Sequence, residues 1–140
     1  MKILVVGEIT QFEECRGKLG EHDYTHVTAQ SAAERILSAD QLIFDFLTSE
    51  NPESFSLYIG KPLTVFLNTW KVNLASLAHA AKDAVQCTVF GFNGFPTMFT
   101  REFLEVSLLR TQDATTLKHV CEQLKMPYLL VDDRVGFVTP

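Results

Sequence analysis

Residues 2–19, KILVVGEITQFEECRGKL, decide how this chain folds. Residues 2–7 form a short, nearly continuous aliphatic run, the pattern of a strand covered on both faces. Gly7 breaks the run, and residues 10–19 then read as a helix whose Thr10 stands three before Glu13, the capping-box spacing. The same alternation continues along the chain. Further strands are predicted at 24–28, 41–47, 62–67, 88–92, 103–109 and 128–131, and helices at 31–37, 73–81 and 113–125. Ser31 precedes Glu34 in a second capping-box spacing, and the last helix carries Leu117, Val120, Cys121 and Leu124 as an apolar stripe. Residues 51–56 read as a loop or a short helical turn. The expected architecture is a single three-layer α/β/α Rossmann-like domain over residues 1–140, with a mostly parallel twisted sheet of about seven strands.

Composition narrows the function. The chain has 140 residues, 46% hydrophobic and 21% charged, as expected of one globular domain. Its net charge of −5, from 12 basic and 17 acidic residues with no Lys/Arg cluster, would repel a phosphate backbone, so nucleic acid is not the expected partner. The opening apolar run is too short for a secretory or membrane-spanning segment. Cys15, Cys87 and Cys121 show no paired spacing, which fits reduced thiols in a cytoplasmic setting. His22, His26, His79 and His119 fall in different predicted elements, so no metal site is expected. Cys87 and Cys121 read as small core hydrophobes rather than nucleophiles.

A strand, a glycine-rich turn and a helix N-terminus together hold a dinucleotide pyrophosphate. That fingerprint needs glycine at three positions. Here Gly7 supplies the first, while Ile9 and Phe12 occupy the second and third. The expectation is that Ile9 obstructs the approach of phosphate to backbone and Phe12 obstructs the closing of helix on strand. Glu8, Glu13 and Glu14 crowd the helix start, favouring the dipole and competing with a bound anion. The second strand ends Val27, Thr28, Ala29, Gln30, without the acidic residue that would take an adenosine ribose.

The stretches GFNGFPTM (91–98), FLEV (103–106) and DDRVGFVT (132–139) carry a resemblance. They are similar to the NAD-binding domain of the L-3-hydroxyacyl-CoA dehydrogenase family, which has a His-Phe-Phe-Asn-Pro strand end, a Leu-Val-Glu-Val strand, a helix and an Asp-Arg-Pro-Gly-Phe-Val turn. Asp133, Arg134, Gly136 and Phe137 match without a gap, and Val135 replaces the proline. Upstream, NTWKVNLASLA (68–78) resembles the family's Asn-Thr-Ser-Ser-Leu strand end and helix, with Asn68, Thr69, Leu77 and Ala78 in step. ADQLIFDFL (39–47) resembles its third strand. The likeness is specific after about residue 61, and the first forty residues are shorter than the family's equivalent.

The resemblance also fixes what has changed. The family's catalytic histidine precedes its partner glutamate by twelve residues, and twelve before Glu105 stands Asn93. An amide hydrogen-bonds but does not titrate, so it cannot serve as the general base of a hydroxyl oxidation. Trp70 stands where the family has a substrate-contacting serine. The chain stops at Pro140, where the family continues into a helical domain that dimerises and completes the substrate cleft. The expected protein is therefore a non-catalytic Rossmann-like module without the C-terminal helical domain and without NAD as cofactor. Its candidate cleft is Gly7, Asn68, Thr69, Trp70, Asn93 and Glu105, with Glu105 as the residual catalytic position. The alternative is a reduced oxidoreductase that binds NAD or acyl-CoA with a partner subunit. An aromatic patch at Phe95, Phe99 and Phe103 is the expected surface for a protein partner or self-association.

Overall fold

A computed structural model describes residues 1–69, 72–78, 86–93 and 103–133. Its strands are β1 (Lys2–Val6), β2 (Asp23–Val27), β3 (Gln41–Asp45), β4 (Thr64–Asn68), β5 (Thr88–Phe92), β6 (Leu104–Leu108) and β7 (Tyr128–Leu130). Its helices are α1 (Ile9–Leu19), α2 (Gln30–Ala33), α3 (Leu74–Ala78) and α4 (Ala114–Leu124), with 3-10 turns at Pro52–Leu57 and Thr111–Asp113. The seven strands form one sheet in the order β2-β1-β3-β4-β5-β6-β7. Pairings are parallel throughout except β5 with β6, which is antiparallel.

Both faces of the sheet are covered. Ile3, Val5, Phe44, Phe66, Phe90, Phe92 and Val106 pack under α1 and α4, while Leu4, Val6, Ile43, Val65, Leu67 and Val89 pack under Ala33, Phe55, Tyr58 and Leu74. Consecutive strand residues thus enter opposite layers, which is why the strands read as unbroken apolar runs instead of alternating ones. In the first layer the Phe44 and Phe66 rings stack at 4.5 Å, and Phe92 meets Phe44 and Phe46 edge-on at 5.5 and 5.0 Å. After β1 the chain steps to β2 on one side, then returns past β1 to β3 on the other. This reversal between β1 and β3 is the switch point at which open α/β sheets bind ligands.

Local expectations shift where short-range contacts win. The helix start at Thr10 moves to Glu8, which caps α1 and forms its capping box with Gln11 rather than Thr10 with Glu13. The helix expected over 31–37 shrinks to the four residues of α2, capped by Ala29, so the Ser31–Glu34 spacing is coincidental. The segment 51–56 settles as the Pro52–Leu57 3-10 turn. Of the helix expected over 73–81, the described part is α3. The outer strands also depart from full burial: β2 is only partly buried, and β7 leaves Tyr128, Leu129 and Leu130 exposed.

Gly91 lies opposite Ser107 in the antiparallel pair. A Cβ at position 91 would sit 2.8 Å from the Thr69 methyl, nearer still to Ser107 Oγ, and 3.4 Å from Leu74. Glycine is what lets α3 settle on this part of the sheet. Gly91→Ala is expected to lower unfolding free energy by about 1–3 kcal/mol through overpacking, measured by urea denaturation. Ser107 Oγ is buried without a hydrogen-bond partner, so Ser107→Ala should by itself leave stability unchanged or raise it by up to about 1 kcal/mol and should partly rescue Gly91→Ala.

Candidate functional site

The first crossover is closed by its own side chains. Gln11 folds back so that its Oε1 accepts the Glu8 backbone N–H at 2.8 Å, and the Glu8 carboxylate in return takes the N–H of Gln11. Two of the orphan donors that a helix offers an anion are therefore occupied. Gln11 Oε1 also lies 2.7 Å from where a Gly7 Cβ would be, with Phe46 Cβ at 3.1 Å. The space in which a pyrophosphate approaches glycine backbone is filled by an amide, and a carboxylate caps the helix beside it. These residues do not fit a pyrophosphate. Ile9, the second position of the fingerprint, is 54% exposed at the start of α1. Phe12 packs toward β2, stacking flat on His26 at 4.5 Å, and His26 Nε2 lies 2.8 Å from the Gly7 carbonyl oxygen.

A second group of polar residues gathers at the far end of β4, β5 and β6. Thr69 donates its hydroxyl and its backbone N–H to the Phe92 carbonyl at 3.1 and 2.9 Å. Continuing the Phe92–Val106 register by one residue sets Asn93 against Glu105. Both are buried, at 7% and 6% exposure. Alternation places Asn93 and Glu105 on the sheet face that carries Gly91 and Ser107. Asn68 serves differently: its amide donates to the Phe46 carbonyl at 3.0 Å and its own carbonyl accepts from Ser49 Oγ at 2.7 Å, tying β4 to the end of β3. Gly7 is three strand spacings from Asn93, roughly 14 Å across the sheet, so the candidate cleft divides into two loci. Trp70 lies outside the described residues, as do Arg134, Gly136 and Phe137.

Between the two loci lies a residue that the sequence reading missed as a site. Asp45, at 0% exposure, ends β3 at the switch point. It accepts hydrogen bonds from Tyr58 Oη at 2.6 Å, Gln30 Nε2 at 2.9 Å and the Leu47 N–H at 2.8 Å. Those bonds join α2, the 3-10 turn and the loop after β3 over the crevice. Burial raises the Asp45 carboxyl above the ordinary aspartate value, against the pull of its donors, and the same burial with the neighbouring Asp45 charge raises the Tyr58 phenol. The visible signal was an aspartate inside the apolar run LIFDF (42–46).

Asp133 also has a role that its motif did not reveal. Its two carboxylate oxygens accept the N–H groups of Leu74 and Ala75 at 2.7 and 2.9 Å, capping α3 from 58 or more residues away. This binds the end of the sheet to the helix over Gly91.

Burial pushes the Cys15 thiol up to about 12 and those of Cys87 and Cys121 up to about 11, so these are protonated core residues. Among the described residues no cluster of His, Cys, Asp and Glu has the makings of a metal site. No helix among them is long and apolar enough to cross a membrane. In the expected aromatic patch, Phe103 is half-buried and Phe95 and Phe99 lie outside the described residues. The exposed apolar residues of a sheet edge are those of β7, with Leu129 and Leu130 at 38% and 49% exposure.

Strand order, switch point and strand-end polar groups define a Rossmann-like α/β domain. Its structural neighbours include dehydrogenases. Over 98% of this chain it is similar to M. tuberculosis FadB2, with a TM-score of 0.62 and 15% identity, and covers 65% of that structure. It is similar over 96% of its length to a 3-hydroxyacyl-CoA dehydrogenase from Archaeoglobus fulgidus (TM-score 0.62, 10% identity, 57% of that chain covered). It also covers 65% of the (S)-3-hydroxybutyryl-CoA dehydrogenase PaaH1 from Ralstonia eutropha, with 99% of its own length, a TM-score of 0.56 and 14% identity. This chain therefore spans 57–65% of the length of these structures. No family model and no curated protein matches the sequence. The fold expected from the 3-hydroxyacyl-CoA dehydrogenase resemblance is the fold observed.

Two measurements check the site's supports. Asp133→Ala should cost about 0.5–2 kcal/mol of stability by uncapping α3, read from the denaturation midpoint. For Asp45, a raised folded-state pKa means that the native state holds its proton more tightly than the unfolded chain. Its contribution is then full below the unfolded aspartate value of about 4 and declines as pH rises through the folded value. Denaturation across this range should show wild-type stability falling relative to Asp45→Asn, which has no proton to lose.

Proposed function

We propose that this chain is a Rossmann-like domain of 3-hydroxyacyl-CoA dehydrogenase descent that acts as a ligand- or protein-binding module and carries out no hydride transfer. The observation that carries this reading is the position of Gln11, which covers Gly7 and occupies the Glu8 N–H where a pyrophosphate would need both. Two further features support it. Asn93 stands against Glu105 where the resembling family has its histidine, and an amide cannot collect the proton released when a hydroxyl is oxidised. At the switch point, the Asp45 oxygens are engaged by Tyr58, Gln30 and Leu47 instead of being open to a ribose. The exposed Leu129 and Leu130 offer a surface for a protein partner.

A second reading rests on the burial of Glu105 beside Asn93 at the strand ends. In it the chain is a reduced oxidoreductase that binds NAD or acyl-CoA and works with a partner subunit.

Steady-state reduction of acetoacetyl-CoA by NADH separates the two. The module reading expects no turnover above buffer from the wild type, and none from Asn93→His, because restoring the base leaves the crossover closed. Wild-type turnover that Glu105→Gln abolishes would establish the second reading and remove the first.

A further inference from the structure

The strand that ends the sheet at β2 carries an unused and self-complementary edge. Among the described residues β2 pairs only with β1, whereas the usual Rossmann order places another strand beyond it. In its place residues 28–40 hold only α2. The hydrogen bonds to β1 show which backbone groups remain. Gly7 N–H donates to the Val27 carbonyl and Asp23 N–H to the Met1 carbonyl. In a parallel pair alternate residues bond to one neighbour, so Asp23, Thr25 and Val27 face β1 while the N–H and C=O of Tyr24 and His26 face outward.

We propose that a second copy of this chain pairs antiparallel with this edge, with the two-fold axis at Thr25. This register sets Tyr24 against the partner's His26 and His26 against the partner's Tyr24, so the four outward N–H groups meet four outward C=O groups. Thr25 faces the partner's Thr25, and Asp23 faces the partner's Val27, so no like charges are opposed. On the α1 side, His26, Phe12 and Tyr24 form one aromatic surface, with Phe12 and Tyr24 edge-on at 6.0 Å and the Arg16 guanidinium 5.3 Å over the Phe12 ring. Beside it runs an open groove of about 680 Å³ between α1 and β2, whose wall includes Glu13, Arg16, Gly17 and Gly20. A Cβ at Gly17 or Gly20 would meet open space, which leaves room for the partner's helix to approach. Glu13 and Arg16 supply opposite charges on that self-facing wall. The paired sheets would form one fourteen-stranded sheet, twice the seven of each chain. This inference is independent of the cofactor reading above.

Cross-linking and mass together test it. At a non-hydrogen-bonded antiparallel pair the Cα atoms lie about 4.5 Å apart, within disulfide reach. Thr25 is exposed and the three native cysteines are buried, so mild oxidation of Thr25→Cys should give a covalent dimer while Asp23→Cys should not. Sedimentation of the wild type at micromolar concentration should show a dimer. His26→Pro, which removes an outward N–H, should be a monomer, and His26→Ala, which loses the same ring but keeps that N–H, should remain dimeric. A monomeric wild type, or a dimer in which Thr25→Cys stays unlinked, overturns the proposal.

Discussion

The side chain of Gln11 rests on the backbone of Gly7, and the character of the first crossover follows from that contact. A strand that feeds a helix through a tight turn needs glycine where the helix start comes close to the strand end. In a dinucleotide site that proximity leaves space for phosphate oxygens. Here the same space holds an amide that takes the Glu8 N–H while Glu8 takes the N–H of Gln11. The turn is satisfied from within, with a carboxylate where an anion would have been drawn. Phe12 stacks on His26 at the edge of the core, and His26 reaches the Gly7 carbonyl.

The same economy recurs along the carboxyl edge of the sheet. Asp45 gathers Tyr58, Gln30 and Leu47, Asn68 and Ser49 tie β4 to β3, and Thr69 ties β4 to β5. Polar groups that would address a ligand in an open crevice address one another. A buried carboxyl group with three donors is a fixed structural joint, and removing one donor leaves part of its acceptor capacity unsatisfied away from water. Gly91 adds the steric counterpart, since its missing side chain lets α3 and the Asp133 cap lie close to β5.

Much of the fold was legible in the sequence because strands buried on both faces read as unbroken apolar runs, set apart by helical patterns. The chain reversal at Gly7 and the apolar stripe Leu117, Val120, Cys121 and Leu124 were equally plain. What failed was local. Capping at Glu8 depends on the rotamer of Gln11, and spacing alone favoured Thr10. The short α2 begins at Gln30, whose amide bonds Asp45 on another strand. Of the site, Asn93 and Glu105 were singled out by the twelve-residue spacing of the resembling family, whereas Asp45 with Tyr58 and Asp133 with Leu74 join residues 13 and 59 apart. Such distant hydrogen bonds leave no periodic trace.

The claim most exposed to contradiction is that the crossover is closed to dinucleotides by its own residues. Calorimetric titration of the purified protein with NADH tests it directly. The account predicts no saturable heat up to millimolar cofactor. Micromolar binding would mean that Gln11 and Glu8 yield the turn to a pyrophosphate and would contradict it.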